Sequence, residues 1–199
     1  MTYIINHRVN NLNKLKNTAK NLGIEIDIRT IKNKLILNHD PFLNGLKFEI
    51  FLKHFNHNFL IINVKEEGIE RKIVQILNRF KIRKYFLLDT TIPMSLKLPK
   101  TLNKCLRISD LERINFESKK INQFNWIWID YVNDIYAVKK IEFKILKKLK
   151  IKNCFVSPEL ININYSPVRL KNFLQKNKII PDAICTKKPK YWEKIFKNS

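Results

Sequence analysis

The chain has 199 residues, 45% of them hydrophobic, and a formal net charge of +22. That composition supports one packed domain, residues 1–199, and excludes a disordered chain. No apolar run is long enough to span a bilayer, and the start, MTYIINHRVNN, lacks the basic and apolar regions of a secretion signal, so a cytoplasmic location is expected.

Strands and helices alternate along the chain. Thr2–Asn6 reads as the first strand, followed by a helix with Leu12, Leu15, Ala19 and Leu22 on one face and Gly23 as its stop. Ile24–Ile28 alternates apolar and charged residues, a strand by period two. Phe59–Val64 is the third strand and Gly68–Phe80 supplies the helix after it; Lys84–Asp89, Lys104–Ile108 and Trp126–Tyr131 are the next three strands. A lysine-rich helix with Val138, Ile141, Ile145 and Leu149 on one face leads to a seventh strand, Asn153–Ser157. A helix with Ser166 as its N-cap and Pro167 at its first position leads to the eighth, Asp182–Thr186, and 189–198 form a closing helix. Eight strands alternating with helical segments predict a (β/α)8 barrel. An open doubly wound sheet is the alternative, but no glycine-rich turn follows the first strand.

Polar residues gather at the predicted strand ends: Asn6-His7-Arg8, Asn63 and Lys65, Asp89, Arg107, Asp130, Ser157 and Glu159, and Thr186 and Lys187. In a barrel these ends share the C-terminal rim, where such enzymes place their sites. Glu25 and Asp27 lie two apart on a strand and share a face, with Ile24, Ile26 and Ile28 on the other. Two neighbouring carboxylates in a half-buried place need a proton, a basic partner or a cation, and Mg²⁺ or Ca²⁺ suits oxygen ligands. A solvated strand face is the plainer reading of that tripeptide alone. His7 and His39 each end an apolar run, and a histidine pair suits acid–base work. His54 and His57 have no such company and read as structural.

The residues in order, His7-Arg8, then Glu25-x-Asp27, then His39-Asp40-Pro41, resemble the opening of the glycerophosphodiester phosphodiesterase family, relatives of phosphoinositide phospholipase C. IIPDAICTKKP near the end is similar to that family's closing strand. The resemblance covers about the first forty and last twenty residues in specific motifs. It implies a (β/α)8 barrel of compact phosphodiesterase type and a metal-dependent phosphoric diester hydrolase. His7 and His39 would be its acid–base pair. Glu25, Asp27 and Asn63 would hold a divalent cation, Mg²⁺ or Ca²⁺, while Arg8 and Lys65, with Arg107, would meet the substrate phosphate. The substrate would be a small-molecule or lipid-derived phosphodiester. Three departures stand out. Val9 replaces a glycine, Asn63 replaces a glutamate ligand, and the segment from Pro41 to Asn58 is too short for the family's capping insertion.

The remaining signals have plainer readings. Cys105, Cys154 and Cys185 match no metal or disulfide pattern and are expected as buried thiols. Ser109 and Glu112 read as a capping box for a helix after the fifth strand. Trp126 and Trp128 share a face with Asp130, either lining the mouth or packing. The positive charge attracts anions, yet it is mostly scattered lysine, which compositional bias also produces. Specific nucleic-acid binding is not expected, and peripheral contact with an anionic membrane stays open. A barrel that binds phosphodiester or lipid and polysaccharide head groups without cleaving them is the first alternative, and a polyanion-binding protein the second.

Overall fold

The computed structural model describes residues 1–131 and 140–197. They form two compact units, Ile5–Lys104, and Met1–Ile4 with Cys105–Ser199.

The first unit takes the last two residues of β1 (Tyr3–Asn6) and continues with α1 (Leu12–Asn17), β2 (Gly23–Ile31), β3 (Lys34–Leu37), β4 (Leu46–Lys47), α2 (Phe48–His54), β5 (Phe59–Val64), α3 (Glu70–Arg79), β6 (Tyr85–Leu88) and α4 (Ile92–Lys97). Strand β2 is central. It pairs in parallel with β1, Ile5 opposite Gly23, and with β5, Asp27 opposite Asn63. β6 extends the parallel set beyond β5, with Ile62 opposite Leu87. Ile24, Ile26 and Ile28 are fully buried in one cluster with Leu60, Ile62, Ile73 and Leu77. Burying each such side chain contributes about 1.5–3 kcal/mol, so the register of β2 is firmly set and Glu25 and Asp27 are committed to the opposite face.

Helix α1 ends at Asn17, before the predicted stop. Thr18 Oγ1 donates back to the Lys14 carbonyl (2.8 Å) and accepts from Asn6 Nδ2 (2.9 Å), which ends the helix there. Gly23 is a strand residue instead, and an added Cβ would come within 2.3 Å of Ile5 Cδ1, so close strand packing is its reason.

Beyond Ile28, β2 leaves β5 and folds back on β3 as an antiparallel hairpin, with Ile28 opposite Leu37. Lys32 and Asn33 both have positive φ, 46° and 60°, as a two-residue hairpin turn of the right twist requires. The hairpin returns the chain so that the Asn38 N–H donates to the Asp27 carbonyl (3.1 Å). His39 is thereby carried back toward the level of the two acids.

The second unit contains β7 (Cys105–Ile108), β8 (Trp126–Ile129), α5 (Lys140–Lys148), β9 (Lys152–Val156), α6 (Val168–Lys176), β10 (Ala183–Thr186) and α7 (Pro189–Lys197). Its strands are parallel in the order β7, β8, β9, β10. All eight predicted strands are present, β1, β2, β5, β6, β7, β8, β9 and β10. Ser109 Oγ accepts from the N–H groups of Leu111 and Glu112, but it closes a turn, because a short 3-10 helix at Lys119–Gln123 is the next regular element. Ser166 Oγ accepts from Val168 N, the first residue of α6, with Pro167 just before it. Val138 lies outside the described residues. The three cysteines are buried thiols, as expected. Trp126 and Trp128 are both buried, and Trp128 donates its indole N–H to Asp130.

Candidate active site

The first unit holds seven of the eight predicted site residues, all but Arg107. Glu25 and Asp27 are 1% and 0% exposed, so their strand face is not a solvated one. Glu25 Oε2 accepts the Arg8 N–H at 2.7 Å and lies 3.7 Å from His7 Nε2. Asp27 Oδ2 accepts from Asn10 Nδ2 at 2.8 Å, and the Asp27 N–H donates to Asn10 Oδ1 at 2.9 Å. The Lys65 ammonium stands 3.3 Å from Asp27 Oδ1, and Arg8 Nε 4.0 Å from Asp27 Oδ2.

Burial, then the neighbouring Asp27 charge, raises the Glu25 carboxyl from 4.5 to about 8. The Arg8 N–H, Lys65 and the Asn63 side chain oppose that rise without cancelling it. A carboxyl so placed carries a proton near neutrality unless a cation takes the proton's place.

Asn63 sits beside Asp27 across the β2–β5 register. It is 9% exposed, and its buried Oδ1 has no hydrogen-bond partner. An orphaned carbonyl next to two buried carboxylates is a set of hard oxygen donors that fits a divalent cation of the Mg²⁺ or Ca²⁺ kind. Among the described residues no group of three or more His, Cys, Asp or Glu is placed to hold a metal.

Arg8 takes φ 51°. For a non-glycine residue this costs about 1 kcal/mol and is typical of chain held in place at a site. The next residue, Val9, is fully buried and donates its N–H to the Glu25 carbonyl at 2.8 Å, so the position read as a lost glycine anchors the loop to β2.

His39 is half-exposed, and its Nδ1 bonds Asp40 Oδ1 at 2.7 Å. That bond, before any other cause, pulls the Asp40 carboxyl below its usual value. Arg29 connects His39 to the rest. Its Nε donates to the His39 carbonyl at 3.0 Å, its Nη1 reaches the Lys65 carbonyl at 3.4 Å, and Glu66 lies 3.8 Å from the guanidinium. Glu66 in turn accepts from the Thr30 N–H and hydroxyl. Arg29 shares the strand face of Glu25 and Asp27, which period two makes legible. Asn10 and Glu66 are loop residues with no signal in spacing. Arg107 belongs to the second unit, where it pairs with Asp130 and lies 3.8 Å from Glu112.

No protein-family model matches the chain, and no curated protein matches it by sequence. Solved structures do. The chain superposes on a glycerophosphodiester phosphodiesterase of Agrobacterium tumefaciens with a TM-score of 0.72 at 13% identity, covering 99% of this chain and 100% of that one. The chain has the fold of the glycerophosphodiester phosphodiesterases, a (β/α)8 barrel. A Galdieria sulphuraria protein provisionally assigned to the same family gives a TM-score of 0.72 at 12% identity over 100% of this chain and 98% of that one. A glycerophosphoryl diester phosphodiesterase of Parabacteroides distasonis gives 0.61 at 11% over 99% of this chain and 86% of that one. The family resemblance carried by His7-Arg8, Glu25-x-Asp27 and His39-Asp40-Pro41 thus meets a fold that agrees with it.

Proposed function

We propose that this protein is a metal-dependent phosphoric diester hydrolase acting on a glycerol- or sugar-linked diester. The observation that carries the reading is the buried Glu25–Asp27 pair, with the His7 imidazole 3.7 Å from Glu25 and the unpartnered Asn63 carbonyl alongside. Buried acids with too few donors are a costly arrangement for structure alone.

Glu25, Asp27 and Asn63 would hold the divalent cation, which would act as a Lewis acid toward a phosphoryl oxygen. Arg8 and Lys65 would offset the charges of phosphodiester oxygens. One imidazole of the His7–His39 pair accepts the proton of the attacking hydroxyl as the new P–O bond forms. The other returns a proton to the leaving alcohol as the old P–O bond breaks. Asp40 keeps the His39 ring oriented by holding Nδ1–H, so the ring works through Nε2.

Purified protein with Mg²⁺, Ca²⁺ or Mn²⁺ should release alcohol from members of a phosphodiester panel, with activity abolished in His7→Ala and in His39→Ala. Failure to cleave any member, or cleavage that survives both substitutions, overturns the reading.

One observation favours a second reading, a barrel that binds the diester without turning it over. Lys65 already faces Asp27, and the third acid is replaced by Asn63. Calorimetry separates the two. Tight diester binding with no turnover, unchanged by the histidine substitutions, selects the binding protein.

A further inference from the structure

Residues 38–44 form a closed surface loop directly after β3. Asn38 Nδ2 donates to the Asn44 carbonyl at 2.9 Å across its neck, and Asn38 Oδ1 accepts the Asp40 N–H at 3.1 Å. Asn44 Oδ1 accepts the Gly45 N–H at 2.9 Å. An apolar tip stands on this pinned base, with Phe42 99% exposed and Leu43 55% exposed. Phe42 also has φ 63°, a conformation that a bulky side chain rarely takes. Single exposed apolar residues need no explanation. Two in succession, held outward by a loop that carries His39 in its own base, do.

The surroundings indicate what covers the tip. Arg8, 45% exposed, and Arg29 adjoin the His39–Asp40 base of the loop, where Asp40 offsets one of their charges, and the chain as a whole carries +22. An apolar point beside cations complements an anionic lipid surface: the rings and branched chains enter the acyl boundary and the charges meet phosphates.

We propose that the 38–44 loop docks this protein on an anionic lipid surface, Phe42 and Leu43 entering it, so that the site draws its diester from that surface. The docking itself needs no catalysis, whereas the last clause rests on the phosphodiesterase reading and names its substrate class as a diester that carries an acyl chain.

The test is sedimentation of the full chain with vesicles of phosphatidylcholine alone or mixed with phosphatidylglycerol, at moderate salt. The parent should bind the anionic vesicles, and the double variant Phe42→Ser, Leu43→Ser should lose about tenfold or more in partition. The pair Lys144→Glu, Lys147→Glu, exposed on α5, should change it far less. A Phe42→Trp variant should show an emission blue shift on anionic vesicles that the parent, with its buried tryptophans, does not. No binding by the parent overturns the proposal, as does partition that ignores the loop and follows the lysines of α5. Vesicle binding without turnover of any diester would leave the docking standing and remove the phosphodiesterase reading.

Discussion

Glu25 in the first unit and Glu159 in the second are buried to the same degree, 1% and 2% exposed, yet their surroundings are opposite. Glu159 accepts from Ser157 Oγ at 2.6 Å, from the Thr186 hydroxyl, and from the Lys187 N–H at 3.1 Å. Ser157 Oγ itself accepts the Trp192 indole N–H at 3.1 Å. Every element there is bound to another, and the carboxylate is the node of a structural network. Glu25 has a second carboxylate two residues away and only one backbone donor at hydrogen-bond distance. Burial alone does not mark a functional acid. Burial beside a second buried acid on the same strand face is what sets Glu25 apart.

The largest effect that would sharpen this contrast is on turnover. His7→Ala and His39→Ala should each lower kcat by about 10²–10⁴-fold with little change in thermal stability, read by steady-state kinetics beside a melting curve. Glu159→Ala should do the reverse, leaving the buried Ser157 and Thr186 hydroxyls and the Lys187 N–H without this acceptor and costing about 3 kcal/mol in denaturant unfolding. If the Glu159 substitution proved neutral for stability, the contrast would collapse.

Glu25 should show its effect through pH. Its folded value of about 8 lies above the unfolded 4.5, so between these values the folded state binds more protons than the unfolded one. Without divalent ion, stability should therefore fall as pH rises from about 4.5 to about 8. Glu25→Gln should flatten that slope, and saturating Mg²⁺ or Ca²⁺ should reverse it in the parent only. Equal slopes in parent and variant would contradict the assignment.

The smallest effect is expected at Arg29, which touches backbone carbonyls rather than substrate. Arg29→Lys keeps the charge but loses the fork that reaches both the His39 and Lys65 carbonyls. It should lower kcat by about tenfold with KM nearly unchanged and thermal stability held. A loss of stability with kcat unchanged would make Arg29 a merely structural residue.

Much of this was legible in the sequence, for reasons that particular residues make plain. The eight parallel strands are apolar runs with turn residues at both ends. Period two assigned Glu25 and Asp27 to one face because Ile24, Ile26 and Ile28 had to take the other. The β2–β3 hairpin was hidden because its turn uses Lys32-Asn33 rather than an Asn-Gly pair, and the left-handed backbone is tolerated there without a glycine to announce it. Helix α1 stopped early because the Thr18 hydroxyl competes for the backbone, a local choice that apolar spacing does not record. Asn10 and Glu66 could not be read at all, since each acts across a contact between loop and strand. The burial of the acid pair was equally beyond reach: an alternating strand looks the same whether its polar face meets water or other strands.

The most direct measurement is calorimetric titration of the protein with Mg²⁺ or Ca²⁺ at pH 7 in two buffers of different ionisation enthalpy. A cation held by Glu25, Asp27 and Asn63 should bind with release of about one proton, the one that Glu25 gives up, and binding should vanish in Glu25→Gln and Asp27→Asn. Absence of binding in the parent, or binding that survives both substitutions, would contradict the site.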